Sequence, residues 1–213
     1  MRYLLLYNIK KNKLAFEIRK YIIKSFYSMK NQKVKLLIIL SFVLLNCKAQ
    51  TIQAPDVSPL NVAYLPDNYA HDWSKHEKAI MKVYYSQPKK NDRKIFGSLV
   101  PYGKVWRTGA NESVEIKVYQ DLTFGGKQLP AGTYTLYTIP NEKEWVIIIN
   151  SVLDHWGAYS YDKANDVIRV TVPSTTVSET TESFSIRFNE SSGNKAVMRL
   201  AWDQTLVEVP ISY

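Results

Sequence analysis

Val114-Glu115-Ile116-Lys117-Val118 alternates apolar and polar residues without a break, and short segments of this kind recur along the chain. A two-residue period sends successive side chains to opposite faces of an extended strand, whereas a helix needs an apolar residue every three or four positions. Beyond Ile80 the alternating or β-branched segments fall at 79–86, 113–119, 133–139, 167–172, 183–188, 196–202 and 206–211. Residues 144–150 (EWVIIIN) are almost continuously apolar, which predicts a central strand covered on both faces. Gly125-Gly126, Pro130-Ala131-Gly132 and Ser192-Gly193-Asn194 punctuate these segments as turns. Pro210 argues for an edge position, because proline brings no N–H to a ladder. The pattern predicts an all-β fold: a single-domain antiparallel β-sandwich, jelly-roll-like or Ig-like, of about eight to nine strands over residues 51–213. Residues 69–78 (YAHDWSKHEK) are the one candidate for a helix in that domain, and 51–72 reads as extended loop.

Charge divides the chain. The formal net charge of +9 suggests a polyanionic partner until it is located. Residues 1–50 hold 11 Lys/Arg and one acid, Glu17, so 17 basic and 18 acidic residues remain for 51–213. The domain is therefore close to neutral, without the basic stripe a nucleic acid needs, and no nucleic-acid partner is expected. Residues 29–50 carry Lys30, Lys33 and Lys35 ahead of an apolar run at 36–45, the layout of a secretory signal helix and too short to span a bilayer. Cleavage near Ala49 or Gln50 competes with a lipobox reading of Leu44-Leu45-Asn46-Cys47, in which Cys47 is lipidated. Asn46 stands where a smaller residue is usual, which favours plain secretion. Residues 1–28 read as a start assigned too early, with Met29 the first residue, or as an extended n-region. The expected location is the periplasm or cell envelope, with membrane contact only through the leader or a lipid anchor. Cys47 is the single cysteine, so the domain holds together by its core without disulfides.

Several segments occur together in one order: Leu99-Val100-Pro101-Tyr102-Gly103, Val105-Trp106-Arg107-Thr108-Gly109-Ala110-Asn111-Glu112, Leu129-Pro130-Ala131-Gly132-Thr133-Tyr134, Trp156-Gly157-Ala158-Tyr159 and Asp166-Val167-Ile168-Arg169-Val170. This set resembles the bacterial domain-of-unknown-function 2911 family, from about Ser58 to the C-terminus. The resemblance implies an exported envelope domain and no particular reaction. Two departures stand out: 69–78 looks like an insertion, and Asn91-Asp92 replaces a more compact turn before Ile95.

Candidate chemistry gathers in two stretches. In 100–113 (VPYGKVWRTGANES), Trp106 offers a large apolar face, Arg107 a five-donor fork for carboxylate or phosphate, and Asn111 and Glu112 an amide and a carboxylate. That is the equipment of a sugar or acidic-ligand site. It is equally the equipment of a β-corner, with Trp106 plugging the end of the core and Arg107 pairing with Glu112 or a carbonyl. The corner carries more weight, because buried polar groups must find partners with or without a ligand. In 154–159 (DHWGAY), His155 could serve as a general base beside Glu112, and Trp156 and Tyr159 could form an aromatic platform. A loop histidine beside a covering Trp is the plainer reading. His71, Asp72 and His76 are too unevenly spaced for one helix face, so no metal is expected there. No G-x-S-x-G elbow, phosphate-cradling glycine loop or cysteine nucleophile is present after residue 50, and no cofactor is expected. The leading expectation is a non-enzymatic envelope protein that binds a small molecule, a glycan or another envelope protein through Trp106, Arg107, Asn111, Glu112, Trp156 and Tyr159. The alternative is an envelope hydrolase or isomerase using Glu112 and His155 as an acid–base pair.

Overall fold

The computed structural model describes residues 16–18, 20, 21, 23–28, 30–33, 52–70, 74 and 78–213. Residues 1–54 and 55–213 form two separate units. In the first, the described positions between 16 and 28 are helical, and no helix among the described residues is long and apolar enough to cross a membrane. The apolar run 36–45, Cys47, and the His71/Asp72/His76 group lie outside the described residues.

The strands of the second unit all pair antiparallel. Its strands are β1 (Leu60–Leu65), β2 (Met81–Ser86), β3 (Val114–Val118), β4 (Leu122–Phe124), β5 (Lys127–Leu129), β6 (Gly132–Pro140), β7 (Glu144–Asn150), β8 (Asp166–Ser191) and β9 (Lys195–Ser212). They pair as one open sheet in the order β1-β2-β3-β6-β7-β8-β9-β4-β5. The all-β class and the strand number match expectation. β7 runs between β6 and β8 with Trp145 and Ile147–Asn150 buried, as its apolar run requires.

β8 makes the architecture. Its first part, from Asp166 to Pro173, pairs with β7, and from Ser174 onward it pairs with β9. Register shifts between Thr176 and Ser185 break the ladder with β9 into two stretches. The second part then meets the chain leaving β2: Lys89 bridges Ser183, Phe184 N–H donates to the Pro88 carbonyl at 2.9 Å, and the Tyr85 hydroxyl reaches the Ile186 carbonyl at 3.4 Å. The inward residues of β2, β3, β6 and β7 and those of β8 and β9 thereby share one core, including Met81, Ile116, Leu136, Ile147, Phe184 and Met198, all fully buried. Each such side chain contributes about 1.5–3 kcal/mol of burial.

Three expectations are corrected. Residues 60–65 are a strand, not loop: Val62, Ala63 and Tyr64 pair with Tyr84, Val83 and Lys82. The expected helix at 69–78 is, where described, a 3-10 turn over Asp67–Ala70 and a further 3-10 position at Ser74. Pro210 lies in β9, which runs between β8 and β4 rather than at the sheet's edge. Pairing of β9 with β8 ends at Val207, so the missing N–H of Pro210 removes no ladder bond to β8.

Candidate functional site

Residues 87–113 leave β2, cross one end of the core and return to β3. Asn91 and Asp92 both have positive φ, 48° and 57°, and the Arg93 N–H closes a tight turn on the Lys90 carbonyl. The Arg93 side chain donates back to the Lys89 and Lys90 carbonyls, fixing the guanidinium to that turn. The chain then docks on β6 through paired bonds between Trp106 and Thr138, 2.7 and 3.0 Å. Thr108, fully buried, donates to Thr138 across 3.1 Å. At Gly109 a Cβ would stand 2.9 Å from the Ser86 carbonyl oxygen, so only glycine lets the two backbones approach this closely.

Trp106 sits in a cluster of five rings. It stacks on Trp202 at 5.9 Å and 14°, and meets Phe96, Trp145 and Phe184 edge-on at 5.2–6.0 Å. Such contacts add about 0.5–1.5 kcal/mol per pair beyond burial. Trp202 donates its indole N–H to the Glu182 carbonyl at 3.2 Å, while the buried Trp145 N–H has no acceptor. A buried donor without a partner costs about 1–3 kcal/mol. Trp145→Phe removes that cost and Trp202→Phe removes a satisfied bond, so Trp145→Phe is expected to be the milder change by about 1 kcal/mol in urea-unfolding midpoints. Equal losses, or a larger loss for Trp145→Phe, would refute this assignment of the two indoles.

A cavity of about 390 Å³ opens over this cluster, lined by Trp106, Trp202, Leu99, Val100, Arg93, Arg107 and neighbours. Trp106 and Arg107 therefore face the same space. Arg107 gives one Nη1–H to the Asn111 carbonyl at 2.8 Å and makes no ion pair with Glu112 among the described residues. Asn111, at φ 58°, donates its amide to Asp56 at 3.1 Å. The Ser58 N–H and then that amide hold the Asp56 carboxyl below the usual carboxylate range.

Glu112 and His155 open onto a different cavity, of about 190 Å³, together with Glu115, Asp154, Ser113 and Tyr84. The 151–165 excursion is stitched to the approach to β3 there: Glu112 bridges Trp156, and both the N–H and the hydroxyl of Ser113 donate to the His155 carbonyl at 3.0 Å. His155 Nδ1 lies 3.4 Å from the hydroxyl of Tyr137, a phenol that burial pushes up. Trp156 and Tyr159 are exposed, at 65% and 82%, and line neither cavity. Of the seven candidate residues, Trp106 and Arg107 line the first cavity, Glu112 and His155 the second, and Asn111, Trp156 and Tyr159 neither. Arg107 comes near the junction, since a Cβ on Gly157 would stand 3.1 Å from its Nη1. Among the described residues no group of His, Cys, Asp and Glu could hold a metal ion.

Lys89, Arg93, Lys104 and Trp202 also line the larger cavity and were not singled out by motif. The Lys89-Lys90-Asn91-Asp92-Arg93-Lys94 string was a visible signal of concentrated charge; nothing in sequence ties Trp202 to Trp106.

No curated protein and no solved structure matches this chain. A family model described as a protein of unknown function, DUF2911, matches residues 69–211, which covers the loop 87–113, the 151–165 excursion and all strands after β1. The chain belongs to the DUF2911 family.

Proposed function

We propose that this protein is an exported, non-enzymatic envelope protein whose domain binds a small molecule in the cavity over Trp106. The observation that carries the reading is the placement of Trp106 and Arg107 on one concave space of about 390 Å³, within the range of small-ligand sites. The leader supports export, by signal peptidase cleavage or by lipidation at Cys47, and intact mass of the envelope-associated protein distinguishes the two. For binding, a thermal-shift screen of glycans and small acids is expected to yield stabilising compounds. Ligand at about a hundred times its Kd adds roughly 2.7 kcal/mol to folding. Ala110→Trp, which fills the cavity from its lining, is expected to cancel that shift; compounds that stabilise this variant equally would place the site elsewhere.

A hydrolase or isomerase reading retains one supporting observation: Glu112 and His155 line the same small cavity. On the binding reading, chromogenic ester and glycoside substrates are not turned over. Turnover that disappears in Glu112→Gln and in His155→Gln would replace the binding reading with the enzymatic one.

A further inference from the structure

The cavity over Trp106 has charge of one sign only. Its sixteen lining residues include Lys89, Arg93, Lys104 and Arg107 and no Asp or Glu. The domain as a whole is nearly balanced, at 17 basic and 18 acidic residues over 51–213, so this is a local concentration.

Three neighbouring carboxylates have partners of their own. Glu182 accepts the Asn91 N–H at 2.9 Å, Asp203 lies 3.9 Å from Lys90, and Asp56 accepts from Ser58 and Asn111 at 2.7 and 3.1 Å. Among the described residues none of the four lining cations makes an ion pair. The two arginines are held by backbone carbonyls through part of their forks, Arg93 on the Lys89–Lys90 turn and Arg107 on Asn111. Such anchoring fixes the direction of the remaining N–H donors before any ligand arrives, which lowers the entropic cost of gripping a planar anion. A concave surface with low-dielectric walls also focuses the field of like charges and raises the local concentration of counter-ions. The floor differs in kind: the indole of Trp106, backed by the buried Trp202, with Val100, Val105 and Pro101 beside it.

We propose that this cavity takes a small organic anion, a carboxylate or phosphate carried on a flat apolar body. The body lies against Trp106, which the buried Trp202 backs, and the charged group meets Arg93 and Arg107 with Lys89 and Lys104 at the rim. The proposal rests on the reading that the cavity binds small molecules and specifies their class.

Isothermal titration calorimetry of the full chain with 1-naphthyl phosphate, 1-naphthol and inorganic phosphate tests it. Naphthyl phosphate is expected to bind at least about tenfold more tightly than either of the others, and to weaken as salt rises. The Lys89→Glu/Lys104→Glu variant alters two exposed side chains without ion-pair partners among the described residues. It is expected to lose about tenfold or more of that affinity at an unchanged thermal midpoint, with naphthol binding unaffected. Naphthol binding as well as naphthyl phosphate would overturn the anion class and leave the small-molecule cavity standing. Inorganic phosphate binding equally well would remove the aromatic floor from the site and overturn the proposal. Silence from all three probes would overturn both the anion class and the cavity as a binding site.

Discussion

Replacing Trp202 by alanine is expected to destabilise the domain by about 3–5 kcal/mol, the range for emptying a buried large aromatic site. Trp202 is 2% exposed, stacks on Trp106, and meets Phe96 and Phe184 edge-on at 6.2 and 5.9 Å. Its partners come from β8, from the 87–113 loop and, through Phe96, from contact with Trp145 on β7. No single element can move in to fill the void without leaving its own ladder, so the site collapses poorly and the cost falls toward the upper end. For a domain of this size the thermal midpoint should drop by on the order of 10 °C. Trp202→Phe separates packing from hydrogen bonding. The Glu182 carbonyl it abandons still receives the Lys90 N–H at 2.7 Å, so no acceptor is orphaned. The phenylalanine variant should therefore lose well under half of what alanine loses in urea midpoints. A Trp202→Ala protein within about 1 kcal/mol of the parent would mean that the ring cluster does not hold the loop to the sheet.

This cluster also shows what alternation can and cannot reveal. The strand at 114–118 was legible because it keeps one period and buries the expected face, and those at 132–140 and 144–150 because their β-branched, aromatic and apolar runs are buried on both faces. β1 was not, because Ser58-Pro59 and Leu65-Pro66 bracket it with turn-like residues, and its six residues are recruited by pairing with β2. β8 appeared as two strands because Ser174–Ser183 is rich in Ser and Thr, with little apolar alternation to mark the continuous backbone. Trp106 and Arg107 stood out within one motif-like string. Their cavity partners Lys89 and Trp202 come from other parts of the chain, and strand periodicity carries no information about which distant strand will lie across from which loop. The meeting of Glu112 with His155 has the same origin: the Ser113–His155 carbonyl bonds join segments 42 residues apart.

Asp166→Ala is the second large effect, about 2–3 kcal/mol, because it removes the charged acceptor at the centre of a polar network whose other members stay behind. The Asp166 side chain is 5% exposed. Its Oδ1 accepts from the Asn150 amide at 2.9 Å, and its Oδ2 accepts from the Tyr161 hydroxyl at 2.6 Å and Arg169 Nη1 at 2.7 Å. Asn150, 2% exposed, also donates to the Asp162 carbonyl and accepts the Val152 N–H, so it ties down both ends of the 151–165 excursion that carries His155. Loss of Asp166 takes one acceptor each from the Asn150 amide, the Tyr161 phenol and the Arg169 guanidinium, which keep the Asp162 carbonyl and the Arg169–Tyr161 bond, and amide hydrogen exchange across 151–165 should quicken more than across β7. The Tyr161 phenol supplies an independent readout. Burial, followed by the hydrogen bond to the Asp166 carboxylate, pushes it up to about 12. Because the folded value lies above the unfolded one near 10, the folded state holds the proton more tightly. That stabilisation is complete below about pH 10 and is lost as pH rises toward 12. Burial also pushes up the phenols of Tyr84, Tyr85, Tyr102 and Tyr137, so the readout in tyrosinate absorbance is the difference between parent and Asp166→Ala, in which one late-titrating phenol should return toward pH 10. Tyr161→Phe keeps the Asp166–Arg169 pair and should cost less than Asp166→Ala, while removing the late phenol and its share of the alkaline loss. An unchanged titration in Asp166→Ala would show that burial alone sets the phenol's behaviour, and that the carboxylate is not the hub that positions the His155 excursion.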